Sequence, residues 1–536
     1  RSQSKSYHAP LRPARRMKRF EPVIAALGLV LLAWGATLIR AARGPMRDVI
    51  LDAGPACPAA PVRILEPTSG VAPLGSVVIF HGLSANRIVM LTNGQQFASA
   101  GFRVFLPDAP GHGDDTAPFS FAAGEACARG LLAVLERRGE LTPQRTILFG
   151  HSMGAALAIR LADDFPAAAT IAVATAPLIP PHRIPSNLLL VAPQFDMPPV
   201  LTTELKLASA IGATRNAPED FRQLRAFRLL VVRWRSHTSA LFDPAAARIM
   251  LRWALDAVGA PPALDPIPGY RAFSGAWLGL LGILLLFPST ASAVVRISGI
   301  RKPAAGPPPP QPSISILAWI ATLVPAAIIS ARWPPLAPLR MYSADFLAAI
   351  LLLAGLALTV SQNLLQRRSG SSFMLTREGL RSSSALLSPS ISSAIVGLLT
   401  ILSAGAWLSL QLTEMWPIPA RWMRFPVLLL VLFPMCLAEE RALGDPRSLT
   451  RFARFGRFAL FAVLRGIVWL VVLFAWLSGV SNALLITIFV AYLAIVSLAQ
   501  RLGADALRHR TGSTLAAAIF NAILGAWFLA AAFPLA

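Results

Sequence analysis

The stretch RTILFGHSMGAALAIRLADDF, residues 145–165, decides the fold of one part of this chain. It begins with a short apolar run that is typical of a buried parallel strand. A helix is predicted to start just after Ser152. The turn between the two has the form Gly-x-Ser-x-Gly and extends from Gly150 to Gly154. The stretch therefore predicts a strand, a sharp turn with Ser152 on it, and a helix.

The residue types in this turn suit a nucleophilic serine. A serine on a sharp strand-to-helix turn has a strained backbone, so the residues two positions away must be small. Gly150 and Gly154 meet that requirement. The N-terminus of the following helix would also favour negative charge that develops at the serine. We predict that Ser152 is a nucleophile, and the alternative is an ordinary turn serine.

Similar strand-like runs recur between residues 45 and 265. They are VRIL, SVVIFHG, FRVFLPD, TILFGHS, TIAVATA, NLLLVAPQFD and FRLLVVRWR. Amphipathic stretches such as GEACARGLLAVLERRG and PAAARIMLRWALDAV lie between them. This alternation predicts an α/β domain with a mostly parallel sheet covered by helices on both faces.

A serine hydroxyl needs a general base, and the base needs an orienting acid. His237 follows the last strand-like run and precedes the final helix of the domain, so it is the predicted base. His182, in a Pro-rich loop, is the substitute. Asp196 ends the run NLLLVAPQFD and is the predicted acid, with Asp220 as the substitute. The chain order serine, aspartate, histidine is the order described for nucleophiles on this type of sheet.

Residues 48–258 resemble an α/β-hydrolase domain of the serine esterase or lipase type. The resemblance rests on VVIFHGLS, LPDAPGHGDD and GHSMGA, together with the late aspartate and histidine. It implies a doubly wound sheet and a hydrolase that requires no metal or organic cofactor. It does not extend to the remainder of the chain.

The resemblance also assigns roles around the nucleophile. It implies that the backbone N–H groups of Leu83 and Met153 form an oxyanion hole, which would stabilise charge on the substrate oxygen. It implies supporting roles for His81, Gly82, Gly150 and Gly154. The segment GHGDD either shapes the rim of the site or is a plain turn. Relatives often insert a lid after the sixth strand, but only PLIPPHRIPS separates the sixth and seventh runs here, so we expect an open site.

The chain as a whole is too apolar for a soluble protein. The 536 residues are 55% hydrophobic and 14% charged, whereas about a quarter is charged in soluble chains. The stretch EPVIAALGLVLLAWGATLI is long enough to cross a bilayer once, and we favour an uncleaved anchor over a signal peptide. Eight further spans are expected near residues 273–295, 314–331, 346–365, 391–412, 425–438, 458–480, 482–499 and 514–535.

The net charge of +23 is compatible with nucleic-acid binding or with basic loops beside a membrane. With the N-terminus in the cytoplasm, about 22 Lys and Arg residues lie in cytoplasmic segments and about four in the outer loops 332–344 and 413–424. This pattern argues against a nucleic-acid partner. It places the hydrolase-like domain outside the cytoplasm, and we expect a bacterial cytoplasmic membrane.

Cysteines and one intramembrane charge leave alternatives open. Three cysteines are too few for a disulfide framework. Cys57 and Cys127 are expected as buried free thiols, and a disulfide is the alternative because both lie in the outer domain. Arg465 lies within a span and is expected to pair with Glu439 or Glu440 or to snorkel, with a transport or second catalytic role as the alternative.

We divide the chain into a basic tail and anchor (1–44), a hydrolase-like domain (45–265) and a membrane domain (266–536). The first hypothesis is a membrane-integral serine hydrolase that cleaves a carboxylic ester of a small molecule or lipid through an acyl-enzyme. An acyltransferase or a peptidase could use the same residues. The second hypothesis is a transporter or membrane-complex subunit whose hydrolase-like domain only binds. The reactivity of Ser152 discriminates between the two hypotheses.

Overall fold

The computed structural model describes residues 14–67, 72–177, 183–211, 220–261, 268–300, 312–368, 383–416, 418–449 and 451–536. It contains an α/β domain built on one eight-stranded sheet and a region of long apolar helices. The predicted fold class is therefore confirmed.

All seven strand-like runs form strands, and an additional edge strand precedes them. The strands are β1 (Met46–Leu51), β2 (Ala60–Leu65), β3 (Ser76–Phe80), β4 (Arg103–Pro107), β5 (Thr146–His151), β6 (Ala169–Val173), β7 (Leu188–Phe195) and β8 (Phe227–Ser236). Their order is β1-β2-β4-β3-β5-β6-β7-β8. The pairs β1–β2 and β2–β4 are antiparallel, and the others are parallel. The carboxyl ends of β3 to β8 consequently meet at one edge, where sheets of this type place their functional residues.

Helices cover both faces of the sheet. After α1 (Ala14–Ala42), the helices of the α/β domain are α2 (Leu91–Ser99), α3 (Phe121–Arg137), α4 (Met153–Leu161), α5 (Pro198–Ala210) and α6 (Pro244–Ala257). Successive strand residues point to opposite faces. In β3, Val77 and Ile79 accordingly pack in the core under α2 and α6, whereas Val78 and Phe80 pack in the core under α3 and α4.

Cys57 and Cys127 form a disulfide, so the expectation of two free thiols is wrong. Cys57 lies in the turn before β2 and Cys127 lies in α3. Gly130 explains their approach, because a Cβ atom at this position would lie 1.8 Å from the carbonyl oxygen of Ala53. The absent side chain lets α3 close on the turn, and the two cysteine Cα atoms then lie 5.0 Å apart, within disulfide range.

The helical region follows the α/β domain. Its long helices are α7 (Pro268–Ile297), α8 (Pro312–Arg332), α9 (Ala344–Arg368), α10 (Ser383–Leu408), α11 (Phe425–Leu443), α12 (Arg451–Leu477), α13 (Val490–Thr511) and α14 (Thr514–Ala532). Together with α1, nine helices among the described residues are long and apolar enough to cross a membrane.

The predicted span near 482–499 is present but shifted, because the apolar helix α13 extends from residue 490 to residue 511. The basic residues after position 500 consequently lie on this helix and not in a loop. Arg501 and Arg508 are buried on this helix, and both form ion pairs with Glu440 of α11. Arg465 forms a two-point hydrogen-bonded pair with Glu439, at 3.0 and 2.7 Å. Charges in this apolar region are therefore paired between helices, as the cost of burying them requires.

Helix α1 packs along α7 through glycines. A Cβ atom at Gly35 would lie 2.4 Å from the carbonyl oxygen of Gly275, and one at Gly28 would lie 2.9 Å from that of Gly282. Small residues of this kind allow two helix backbones to approach closely. The N-terminal helix is thus a packed member of the helical region.

The carboxyl edge of the sheet faces the helical region. Arg421, in the short helix Pro419–Trp422, donates hydrogen bonds to the carbonyl oxygens of Gly111 and Gly113 in the loop after β4. The Leu535 N–H donates to the Gly111 oxygen at 2.9 Å, and the Phe119 N–H donates to the Leu535 oxygen at 2.8 Å. These contacts hold the two regions together at this edge.

Candidate active site

Ser152 lies between β5 and α4 with φ 56° and ψ −116°. A positive φ is strained for a residue with a side chain, and such strain is concentrated at functional sites. The Ser152 backbone N–H donates to the carbonyl oxygen of Val173 at 2.9 Å. The Ser152 backbone carbonyl oxygen accepts from the N–H groups of Ala155 and Ala156. These bonds to β6 and to the first turn of α4 hold the serine in the strained conformation.

The two glycines of the turn are required by close backbone contacts. A Cβ atom at Gly150 would lie 2.0 Å from the carbonyl oxygen of Gly154. A Cβ atom at Gly154 would lie 2.2 Å from the carbonyl oxygen of Phe80, at the end of β3. Neither position can accept a side chain without moving the backbone, which explains the Gly-x-Ser-x-Gly spacing.

His237 and Asp196 meet Ser152 at the carboxyl ends of β7 and β8. The His237 Nε2 atom lies 2.9 Å from the Ser152 hydroxyl. Its Nδ1 atom lies 2.8 and 3.0 Å from the two carboxylate oxygens of Asp196, whose side chain is fully buried. A carboxylate only accepts hydrogen bonds, so Nδ1 bears the proton and Nε2 is free to accept from the serine.

His151 holds the backbone of His237 in place. Its Nε2–H donates to the His237 carbonyl oxygen at 3.1 Å. Burial lowers the pKa of His151 to about 3, so the ring is neutral over the ordinary pH range. His151, which lies between Gly150 and Ser152 in the motif, therefore supports His237.

The loop after β3 passes close to Ser152 at Gly82 and continues to Leu83. Among the described residues, no acceptor takes a hydrogen bond from the backbone N–H of either Leu83 or Met153. Met153 is the first residue of α4, where N–H groups have no partner within the helix. Gly82 lets the loop approach, because a Cβ atom there would lie 3.1 Å from the Cβ atom of Ser152.

His81 fixes this loop. Its Nδ1–H donates to the Gly82 oxygen at 2.8 Å, and its Nε2 accepts from the Ala109 N–H at 2.9 Å. Burial lowers the pKa of His81, so the neutral form that makes both bonds is favoured. His81 thus joins the loops after β3 and β4 and lies away from the proton path.

The rim segment GHGDD is organised around a buried ion pair. The carboxylate of Asp108, at the end of β4, accepts from the guanidinium and from the backbone N–H of Arg87. It also accepts from the N–H of Asp114 at 3.0 Å. Gly113 has a positive φ and lies against the Asp108 carboxylate, where a side chain has no room. The segment is thus ordered by contacts with Asp108, and its role at the rim of the site stays a prediction.

The substitutes considered from sequence lie elsewhere or cannot be placed. The Asp220 carboxylate accepts from the Gln223 N–H at 3.0 Å within its own turn. His182 lies outside the described residues. Within the described ranges, no three His, Cys, Asp or Glu side chains are grouped to hold a metal ion.

Glu204 was not predicted from sequence. This α5 residue is fully buried and accepts from the Thr175 N–H at 2.8 Å. Burial, and secondarily the charge of Asp196, raise the pKa of Glu204 to about 8. No local pattern marks this residue, since its neighbourhood depends on where α5 folds back on the sheet.

A shallow cleft adjoins Met153 on the α3 side of the sheet. Its walls are mostly apolar and include Phe80, Leu131, Met153 and Leu157.

Residues 71–221 match the family model described as serine aminopeptidase, S33. The comparison with curated proteins finds no match.

Solved structures similar to this chain include an α/β serine hydrolase homologue from Coxiella burnetii, with 18% identity, coverage of 38% of this chain and 96% of that chain, and a TM-score of 0.31. An α/β serine hydrolase without a lid from Xanthomonas campestris has 15% identity, coverage of 41% and 98%, and a TM-score of 0.32. The fluorophosphonate-binding serine hydrolase FphF from Staphylococcus aureus has 13% identity, coverage of 39% and 98%, and a TM-score of 0.30. On the family match, this chain contains a serine hydrolase domain of the α/β-hydrolase type, joined to a region of apolar helices.

Proposed function

We propose that the protein is a membrane-integral serine esterase with Ser152 as nucleophile, His237 as base and Asp196 as orienting acid. The single observation that carries this proposal is the continuous chain of short contacts from the Ser152 hydroxyl through His237 to the Asp196 carboxylate. The domain of a binding module would have no need of a strained serine held against a histidine.

The reaction follows from this geometry. The Ser152 oxygen attacks the acyl carbon while its proton moves to His237 Nε2. The N–H groups of Leu83 and Met153 stabilise the oxyanion, and Asp196 stabilises the imidazolium. His237 then gives the proton to the departing alcohol oxygen. Water attacks the acyl-enzyme with His237 again as base, and the carboxylic acid leaves.

The apolar cleft beside Met153 supports an acyl substrate with a hydrocarbon portion. The family name refers to a peptidase, and the same residues are able to cleave an amide. We favour an ester because most residues that line the cleft are apolar, with His81 and Asp108 as the charged or polar exceptions. A panel of ester and aminoacyl-amide substrates distinguishes the two.

The helical region supports the membrane assignment. Nine apolar helices among the described residues, buried ion pairs between helices and a packed α1 fit a bundle in a bilayer. The distribution of Arg and Lys favours a cytoplasmic N-terminus and an outer hydrolase domain.

The test is labelling with a fluorophosphonate probe in isolated membranes. We expect the wild type to label and Ser152→Ala and His237→Ala to lose labelling. Asp196→Asn should slow it by on the order of 10⁴-fold, because the histidine loses its orienting carboxylate.

Matched controls use the residues considered as substitutes. His182→Ala and Asp220→Asn should label at the wild-type rate. If folded wild-type protein does not label, the esterase proposal fails and the transporter or binding-module hypothesis takes its place. If His182→Ala abolishes labelling and His237→Ala does not, the assignment of the base is wrong.

A further inference from the structure

The helical region touches the loops on both sides of Ser152. Leu83, the proposed oxyanion residue, packs against the apolar core formed by the helical region. On the other side, Thr238 follows His237, and its side chain interacts with the phenol of Tyr492 in the first turn of α13. The space above the nucleophile is thus bordered by helices on two sides.

Further contacts attach the helical region to the loops of the α/β domain. The amide of Asn86, in the loop that also contains Leu83, donates to the Thr413 hydroxyl at 3.2 Å and accepts from the Glu414 N–H at 3.1 Å. The rings of Phe119 and Tyr342 make an edge contact at 5.6 Å between centroids. These contacts hold the helical region against the loops that follow β3 and β4.

Tyr492 belongs to an aromatic cluster of the helical region. The Tyr492 ring lies 5.3 Å from the Phe489 ring, which in turn lies 5.7 Å from the ring of Phe533. Phe533 is fully buried, whereas Tyr492 is 41% exposed, so the Tyr492 ring is the one that can contact an apolar chain.

An exposed aromatic pair lies at the same sheet edge, beside the acid and the base. Phe195 precedes Asp196 and is 56% exposed, and Trp234 lies three residues before His237 and is 77% exposed. Their rings are 5.7 Å apart. Large exposed aromatic side chains next to a region of membrane-spanning helices are typical of residues at the lipid–water interface.

We propose that the outer end of the helical region is the lid of the hydrolase site, and that the substrate is a long-chain ester taken from the bilayer surface between Tyr492 and the Phe195–Trp234 pair. The inference rests on the proposed esterase function and specifies its substrate class. Tyr492 and Trp234 are specificity residues here, and neither takes part in proton transfer.

The test compares labelling rates with two alkyl fluorophosphonates, one with an ethyl and one with a dodecyl chain. The full chain is reconstituted in phosphatidylcholine vesicles, and the dodecyl probe is delivered within the same bilayer. We expect the wild type to react faster with the dodecyl probe. Tyr492→Ala and Trp234→Ala should each slow that reaction about tenfold, as expected for lost apolar contact, and change the ethyl reaction less than twofold.

Two control variants separate this effect from general damage. Tyr492→Phe keeps the ring and should retain the preference for the dodecyl probe. Phe452→Ala removes an exposed aromatic side chain of α12, in a different part of the helical region, and should change neither rate. If labelling occurs but both probes react equally, or if the variants slow both probes equally, the lid proposal is overturned. If neither probe labels the wild type, the esterase function itself has failed.

Discussion

Gly154 is a position where one methyl group has no room. A Cβ atom there would lie 2.2 Å from the Phe80 oxygen and 2.7 Å from the His81 oxygen. Both contacts are with backbone, which cannot rotate away as a side chain would. The residue therefore sets the distance between the nucleophile turn and the loop that leads to Leu83.

We predict that Gly154→Ala lowers the free energy of unfolding by about 1–3 kcal/mol, the range for overpacked sites, and slows fluorophosphonate labelling. Thermal unfolding in detergent and labelling rates measure the two effects. Gly124→Ala is the control, because a Cβ atom at Gly124 would meet nothing within 4 Å. Equal behaviour of the two variants would contradict the close contact.

Glu204 predicts a dependence of stability on pH. Its folded-state pKa of about 8 lies above its ordinary value of 4.5, so the folded protein holds a proton that the unfolded chain releases. The free energy of unfolding should consequently fall as the pH rises from about 5 to about 8, by at most about 1.4 kcal/mol per pH unit from this group.

The variant Glu204→Gln keeps the shape and removes the titration. Its stability relative to the wild type should increase between pH 5 and pH 8, as measured by chemical denaturation at each pH. Glu136→Gln, at an exposed site in α3, serves as the control. A constant difference between Glu204→Gln and the wild type across this range would show that the carboxyl does not titrate there.

At the scale of elements, the short helix Pro419–Trp422 joins the two regions through one side chain. Arg421 donates to Gly111 and Gly113 of the α/β domain and to Ala530 and Phe533 at the end of α14. Lysine cannot reach four carbonyl oxygens at once, because its ammonium group is a single point.

We predict that Arg421→Ala destabilises the protein by about 2–4 kcal/mol, since several buried carbonyl groups lose their donor. Arg421→Lys should recover little of this loss. Limited proteolysis should then cut between the two regions sooner than in the wild type. Arg138→Ala, at an exposed position, should match the wild type. Unchanged proteolysis of Arg421→Ala would mean that other contacts suffice to hold the regions together.

Particular elements show what local sequence can and cannot predict. The buried strands can be predicted from the sequence because continuous runs of β-branched residues mark them. Strand β1 was missed because it is an edge strand with half its residues exposed, so MRDVIL lacks such a run. The far end of α13 is not marked as membrane helix by local sequence because Arg501 and Arg508 look solvated there, although both pair with Glu440 inside the helical region.

The candidate site divides in the same way. Ser152, Asp196 and His237 each follow a strand, and parallel strands bring their carboxyl ends together, so these residues could be selected from sequence. Glu204 and Tyr492 could not be selected, because their neighbours are set by tertiary packing. Tyr492 in particular meets Thr238 across a large part of the chain.

At the scale of the whole molecule, the disulfide makes the stability of the α/β domain depend on an oxidising compartment. Cys57 and Cys127 close a loop with a sequence separation of 70 residues. Removing such a link by Cys57→Ser and Cys127→Ser should lower the free energy of unfolding by about 4 kcal/mol if chain entropy dominates. Thermal unfolding with and without reductant measures this loss, and a Cys436→Ser background removes the third thiol.

The disulfide between Cys57 and Cys127 also allows a test of the side of the membrane on which the α/β domain lies. In intact cells, a thiol reagent should modify Cys57 and Cys127 only after reduction if the α/β domain lies on an oxidising side. Direct modification without reductant would place the domain in the cytoplasm and reverse the proposed topology.

The glycine contacts between α1 and α7 have a consequence for how this protein is put together. They pair residue 28 with 282 and residue 35 with 275, so the two helices run antiparallel, and the same register sets Ala42 opposite Pro268. The α/β domain is therefore an insertion at the tip of a helical hairpin, with its two ends at one place. Replacing residues 45–265 by a short Gly/Ser turn should leave the hairpin, and a bundle without its enzyme, intact.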